Sequence, residues 1–373
     1  MKIALYELLV TVRNGGIQTS YWETAKRLAA MGHEVHMYGG DGPIRWRMPE
    51  GVKILTFPFI RREKFPDFGT RFRKFSERLS FGKHALHSLC ENRYDIIYVR
   101  KPYEMPIALY VKKRTGAKVV FRSGGTEFYV GYKYLARRLD SFLSCSEYNS
   151  MQIYNYCGLK PGVLYNGVDT KRFRPLPKDG GLMAKYGIRE DDFVLISISR
   201  LVGWKGIQYG IQALRSLRDK KIKYLVVGDG EYSEKLMNAV RDEALEESVV
   251  FTGNIRNEDV PLYLSLADAA IFPTIGDDDA FPNAVCEAMS CGKPAIGTTK
   301  GGIPEAIVDG QTGFLVKPAD PDLIAEKVDT LMSNPVLCQK TGRNARERVV
   351  SLFSWDAITK QLEGIFYDVR KRV

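Results

Sequence analysis

Histidine is scarce in this chain: His33 and His36 flank a β-favouring run, His84 and His87 lie on a basic stretch, and there are no others. A site built on a histidine base therefore has few places to stand. No apolar run reaches the roughly 18 residues that span a bilayer. The opening Met1-Lys-Ile-Ala-Leu-Tyr-Glu-Leu-Leu-Val is interrupted by Glu7, and no small-residue cleavage site follows before Arg13. It reads as a buried strand rather than a signal peptide. The six cysteines, Cys90, Cys145, Cys157, Cys286, Cys291 and Cys338, are scattered without paired metal-type spacing. Reduced thiols in a cytoplasmic protein fit that usage better than a disulfide framework. Repeats and low-complexity tracts are also missing, and charged residues, at 27%, are mixed in sign along most of the chain. Disorder is excluded on that composition.

What is present is an apolar fraction of 45% over 373 residues, enough for two ordinary domains with separate cores. Short β-rich runs alternate with helical stretches, the pattern of α/β proteins with parallel sheets. The strand candidates are 3–9, 34–38, 53–57, 95–99, 118–122, 141–145 and 162–164, then 193–199, 223–227, 249–252, 269–272, 294–297 and 313–316. Between the two sets, Arg174-Pro-Leu-Pro-Lys-Asp-Gly-Gly181 is rich in proline and glycine and reads as a linker. The predicted domains are residues 1–174 and 175–352. Two doubly wound domains facing each other would place a ligand cleft at the carboxyl ends of their strands.

The net charge of +11 is unevenly distributed. Residues 1–175 carry 30 Lys and Arg against 15 Asp and Glu, and the remainder carries 25 against 29. The excess concentrates in residues 61–83, where Phe68, Phe72, Phe75 and Leu79 recur at helical spacing among arginines and lysines. A basic amphipathic helix suits an anionic membrane surface. The alternative is an aromatic face packed on its own domain with the cations solvated. Nucleic acid is not expected, because no recognised binding module accompanies the charge.

Two loops carry chemistry. Arg200 emerges at the carboxyl end of an apolar run in Ser199-Arg-Leu-Val-Gly-Trp-Lys-Gly206, and Lys205 follows just before a helix expected near Gly206. Guanidinium and ammonium groups suit a diphosphate; ordinary solvated cations are the alternative reading. About eighty residues on lies Asp279-Ala-Phe-Pro-Asn-Ala-Val-Cys-Glu287. There Asp279 is expected in the loop and Glu287 in the first turn of the following helix, with the amides near Asn283 and Ala284 aimed at an anion. Carboxylates suit sugar hydroxyls, so the two loops together point to a nucleotide diphosphate sugar. Gly15-Gly16, Gly124-Gly125 and Gly301-Gly302 stand where strands hand over to helices, and each permits a sharp turn or close backbone approach.

These pieces resemble the retaining GT-B glycosyltransferases of the glycosyl transferases group 1 family, in order along nearly the whole chain. The resemblance rests on Gly15-Gly16, Gly32-His-Glu-Val35, Asn166-Gly-Val-Asp169, Ser199-Arg-Leu201 through Lys205-Gly206 and Gly228-Asp-Gly230. Phe251-Thr-Gly253, the acidic loop, Gly301-Gly-Ile-Pro-Glu305 and Phe353-Ser-Trp355 complete it. It implies two Rossmann-like domains facing across a cleft, with a helix over about 353–373 returning to the first. The implied activity is retaining transfer of a sugar from a nucleotide diphosphate sugar to an acceptor hydroxyl, of a glycolipid or surface polysaccharide precursor, without a metal or other cofactor. By position, Arg200, Lys205 and Asp279 would be catalytic. Gly15, Gly16, Phe281, Asn283, Ala284, Glu287 and Glu305 would bind substrate, and Arg122 and Glu127 would contact the sugar. A nucleotide-binding but catalytically silent subunit is the alternative. Two departures from the family pattern stand out. The first acidic residue is Asp279 rather than Glu, and Gly124 and Arg100 occupy places where the family often has histidines.

Overall fold

A computed structural model describes residues 1–13, 15–43 and 49–372. It divides into two compact units, Met1–Gly167 with Trp355–Val373, and Val168–Ser354. The first holds seven parallel strands: β1 (Lys2–Tyr6), β2 (Glu34–Gly40), β3 (Val52–Phe57), β4 (Ile96–Val99), β5 (Lys118–Arg122), β6 (Ser141–Ser144) and β7 (Gly162–Val163). Their order is β3-β2-β1-β4-β5-β6-β7, with Ile3 opposite Val35 on one side and Ile96 on the other. The reversal of order between β1 and β4 opens a crevice at the carboxyl ends of these strands. Most strand residues are buried on both faces, which is why they read as near-continuous apolar runs.

β1 is shorter than its apolar run. It ends at Tyr6 because Glu7 turns inward, fully buried, and its carboxylate accepts from the Leu9 amide at 3.2 Å to start a short 3-10 turn, Leu8–Thr11. Helix α1 (Gly16–Ala30) follows, with Tyr21, Trp22, Ala25 and Leu28 in the core. Helix α2 (Thr70–Glu91) buries Phe81, Ala85 and Leu89 but leaves Phe68, just ahead of it, together with Phe72 and Leu79, exposed at 76%, 40% and 46%. Its cations divide as well. Arg78 is buried among Glu7, Glu77 and Glu104 at 3.5–3.8 Å, whereas Arg71 and Lys83, like Lys64 ahead of the helix, face solvent. The aromatic face is therefore only partly packed on its own domain, and one of the cations, Arg78, is buried rather than solvated.

The helix Trp355–Lys371 belongs to the first unit. Trp355, Ile358, Leu362, Phe366 and Val369 form one apolar stripe, and they share a core with Ile3, Leu5 and Tyr21. Arg27 pairs with Asp356 at 2.5 Å, and His33 Nε2 lies 2.7 Å from Glu363. The indole of Trp355 sits against Gly167, where a Cβ would fall 2.2 Å from the ring.

The second unit has six parallel strands: β8 (Phe193–Ile198), β9 (Ile222–Val227), β10 (Val249–Gly253), β11 (Ala269–Phe272), β12 (Ala295–Thr298) and β13 (Gly313–Val316). Their order is β10-β9-β8-β11-β12-β13, so the reversal falls between β8 and β11. The Pro- and Gly-rich stretch 174–181 lies inside this unit. Among the described residues, no helix is long and apolar enough to cross a membrane.

Candidate functional site

The loops after β8 and β11, neighbours at the reversal point of the second sheet, build one cavity. Past β8 the chain stays tied to the sheet edge: Ser199 N donates to Val227 O at 3.1 Å, and Leu201 N to Asp229 O at 2.9 Å. A 3-10 turn, Gly203–Lys205, then delivers Lys205, and Gly206 takes the left-handed conformation at φ 70° before the helix Ile207–Ala213. A Cβ on Gly206 would fall 1.9 Å from Pro273 O, so only glycine lets this loop lie on the one after β11. Ile275 N and Gly276 N both donate to Trp204 O, at 2.9 and 3.2 Å, and fasten the two loops together.

Across that seam, Lys205 Nζ lies 2.5 Å from Asp279 Oδ2, each side chain about one-fifth exposed at 21% and 19%. The ammonium also lies 4.5 Å from the centre of the Trp204 ring. Arg200 is exposed on the same cavity, without an ion pair among the described residues. The acidic loop rests on Gly301-Gly302: Gly302 N donates to Asp279 O at 2.9 Å, and a Cβ on either glycine would come within 2.5 Å of an acidic-loop carbonyl. The helix Asn283–Ser290 starts at the cavity wall with no side-chain cap; Asn283 N donates to Phe281 O at 3.1 Å and Cys286 N to Pro282 O at 3.2 Å, and the positive end of the helix faces the cavity. Two cations and a helix N-terminus thus converge on about 220 Å³, below the ~300–1,000 Å³ typical of a whole small-molecule site. That volume suits part of a nucleotide sugar, and the charges suit its diphosphate.

Glu287 lies further along this helix than expected, beyond its first turn, and does not line the cavity. Burial pushes its carboxyl up to about 7, opposed by the charge of Arg172, and no hydrogen-bond partner for it exists among the described residues. Glu305 sits in the short helix Ile303–Ala306 beside the cavity rather than on its wall. The structure therefore brings Arg200, Lys205, Asp279, Phe281, Asn283 and Ala284 together, with Glu287 and Glu305 nearby. Trp204, the seam between the two loops, is absent from the sequence expectations although it lies between Arg200 and Lys205.

Gly15, Gly16, Arg122 and Glu127 belong to the first unit. Gly15 precedes α1 and accepts from Thr19 N at 2.9 Å. Glu127 is clasped by Lys74 and Lys101, each at 2.6 Å. Burial raises its carboxyl, but the two ammonium groups outweigh that and hold it at about 2. Arg122 departs from the expected sugar contact. It is 1% exposed, and its guanidinium is committed to the fold through Leu164 O at 2.9 Å and Asn166 Oδ1 at 2.8 Å. Among the described residues, no group of three or more His, Cys, Asp or Glu side chains is placed to hold a metal ion.

Comparison with known proteins agrees with this division. The family described as glycosyl transferases group 1 matches residues 181–348, and glycosyltransferase family 4 matches residues 14–172. Among curated relatives, the N-acetyl-alpha-D-glucosaminyl L-malate synthase of Bacillus anthracis is 28% identical over 95% of this chain and 94% of its own. The GDP-mannose-dependent alpha-(1-6)-phosphatidylinositol monomannoside mannosyltransferase of Mycolicibacterium smegmatis is 29% identical over 92% of each. A solved glycosyltransferase from Rickettsia africae superposes with a TM-score of 0.82 at 20% identity, covering 100% of this chain and 99% of that one. Anabaena Alr3699/HepE in complex with UDP-glucose gives 0.76 at 20%, covering 99% and 100%. At such identities the structural likeness speaks for the fold.

Proposed function

The chain belongs to the glycosyl transferases group 1 family, with a family 4 first half and the GT-B fold, and from its use of a nucleotide-sugar donor we propose the following reaction. The sugar passes with retention, and without a metal, from a nucleotide diphosphate sugar to a hydroxyl of a glycolipid or surface-polysaccharide precursor. The observation that carries the donor reading is the wall formed by Arg200, the Lys205–Asp279 pair and the start of the helix Asn283–Ser290.

In this reading Arg200 and Lys205 hold the diphosphate and meet the charge that grows on it as the glycosidic bond breaks, in place of a metal. Lys205 has Asp279 as its present counter-ion, so an arriving phosphate competes with that carboxylate, which is then free to meet the transferred sugar. The acceptor hydroxyl attacks the face from which the diphosphate leaves. A new bond forms between the anomeric carbon and the acceptor oxygen, the bond to phosphate breaks, and the leaving phosphate takes the hydroxyl proton. Glu287 in its ionised form accepts from the ribose hydroxyls. The exposed Phe68, Phe72 and Leu79 among the cations of residues 64–83 would bring the enzyme to an anionic membrane carrying the acceptor.

The test is a thermal-shift panel of UDP, GDP, ADP, TDP and CDP on wild type and on Arg200→Ala. One nucleotide at a hundred times its dissociation constant is expected to stabilise the wild type by roughly 2.7 kcal/mol, and the variant much less at the same concentration. No response from a folded wild type would remove the donor assignment. Binding without hydrolysis or transfer of any sugar donor would point to a silent subunit.

A further inference from the structure

A second cavity lies wholly within the first unit, at the carboxyl ends of β4 and β5 and beside the start of α1. Its lining includes Ile17, Arg100, Lys101, Ser123, Gly124 and Glu127. Arg100 follows directly on β4 and is 4% exposed, yet its Nε and Nη1 have no hydrogen-bond partner. A buried guanidinium normally spends its donors on carbonyls or a carboxylate, since desolvating them unpaired is costly. Arg122, on the adjacent strand, does so. Arg100 has no ion pair among the described residues.

The surroundings are positive. Burial, and then the nearby charge of Arg100, lower the Arg122 guanidinium to about 10. The cavity's carboxylate, Glu127, is already balanced by Lys74 and Lys101. Helix α1, fifteen residues long, begins at the same cavity without a side-chain cap. Position 124 faces the guanidinium: a Cβ there would stand 3.7 Å from Arg100 Nη2, an ordinary contact, and meet nothing nearer.

We propose that this cavity receives an oxyanion of a substrate, a carboxylate or phosphate ester, with Arg100 as the residue that selects it. The proposal deepens the glycosyltransferase reading and rests on it. It makes one of the two substrates acidic at the point that enters the first unit. The oxyanion sits either on the donor sugar, as in a uronic acid, or on the acceptor.

The test weakens the competing phosphate site first. Inorganic phosphate and D-glucuronate are titrated, with D-glucose as the neutral control, against Arg200→Ala protein with Arg100 intact and with Arg100→Met. Binding of the two anions is expected to weaken at least about tenfold without Arg100, and D-glucose binding to be unchanged. Gly124→Asp is the second variant. It places an internal carboxylate beside Arg100 Nη2 and is expected to block the anions with the arginine still in place. Folding of each single variant in an otherwise wild-type protein is checked by circular dichroism and its melting midpoint, and its donor site by its response to the nucleotide selected by the panel. That response belongs to the second unit, so its failure and the failure of this proposal are separable.

The source is read from donor affinities. Tighter binding of UDP-glucuronate than UDP-glucose, dependent on Arg100, places the oxyanion on the donor. Equal donor affinities with Arg100-dependent binding of phosphate or glucuronate place it on the acceptor. Anion binding that is the same with and without Arg100, in folded protein, overturns the proposal.

Discussion

Burial raises the Glu287 carboxyl from its ordinary 4.5 to about 7, with Arg172 acting the other way, so its charge changes inside the usual assay range. The folded protein holds the extra proton between those two values. Stability from this group is therefore full below about 4.5 and falls as pH rises through 7. Glu287→Gln is expected to leave stability at pH 4 unchanged and to raise it at pH 8 by up to roughly 3 kcal/mol, measured by urea unfolding. The same change should weaken nucleotide binding, because the ribose loses its charged acceptor. Equal effects on stability at the two pH values would show that the carboxyl is not strained by burial.

The loops after β8 and β11 act as a single element because glycine lets them touch. Gly206→Ala puts a side chain at φ 70° and 1.9 Å from Pro273 O, so one loop must move. A loss of at least about 2 kcal/mol is expected from the left-handed strain and the displacement together, with weaker nucleotide binding as Lys205 shifts. Gly180→Ala, where a Cβ meets nothing within 4 Å, serves as the neutral control. Unchanged melting of Gly206→Ala would show that the contact is dispensable. The strands on which these loops stand are legible in the sequence within a residue or two at most ends, since doubly buried parallel strands are near-continuous apolar runs. β1 is the largest exception, because an apolar run does not reveal that Glu7 turns inward. Arg200, Lys205 and Asp279 are legible from loop position and family pattern. The pairing of Lys205 with Asp279 is not, because it joins two loops distant in sequence. Arg122 and Arg100 look like surface cations until their burial is seen, and only then do their different fates separate.

At the scale of the whole molecule, the charge is as divided as the fold, with the positive excess in residues 1–175. The exposed aromatics at Phe68 and Phe72 give that excess an apolar foothold. Full-length protein is expected to sediment with vesicles containing phosphatidylglycerol and not with neutral phosphatidylcholine, and added salt should release it. Replacing both Phe68 and Phe72 by serine should reduce sedimentation several-fold, since interfacial binding scales with buried apolar area. Sedimentation indifferent to these replacements would leave the segment as solvated surface.

The helix Trp355–Lys371 completes the core of the first unit although Val168–Ser354 separates it in the chain from the rest of that unit. Biosynthesis must feel this. Protein domains ordinarily mature in the order in which they leave the ribosome, at about 5–20 residues per second. Here the order is inverted. The later-made unit is complete first, while the earlier one, its seven strands already made, waits through tens of seconds of translation with the place of Leu362 and Phe366 still open. During that interval the nascent first unit offers an apolar groove to chaperones, and a pause in translation before Trp355 would lengthen the exposure.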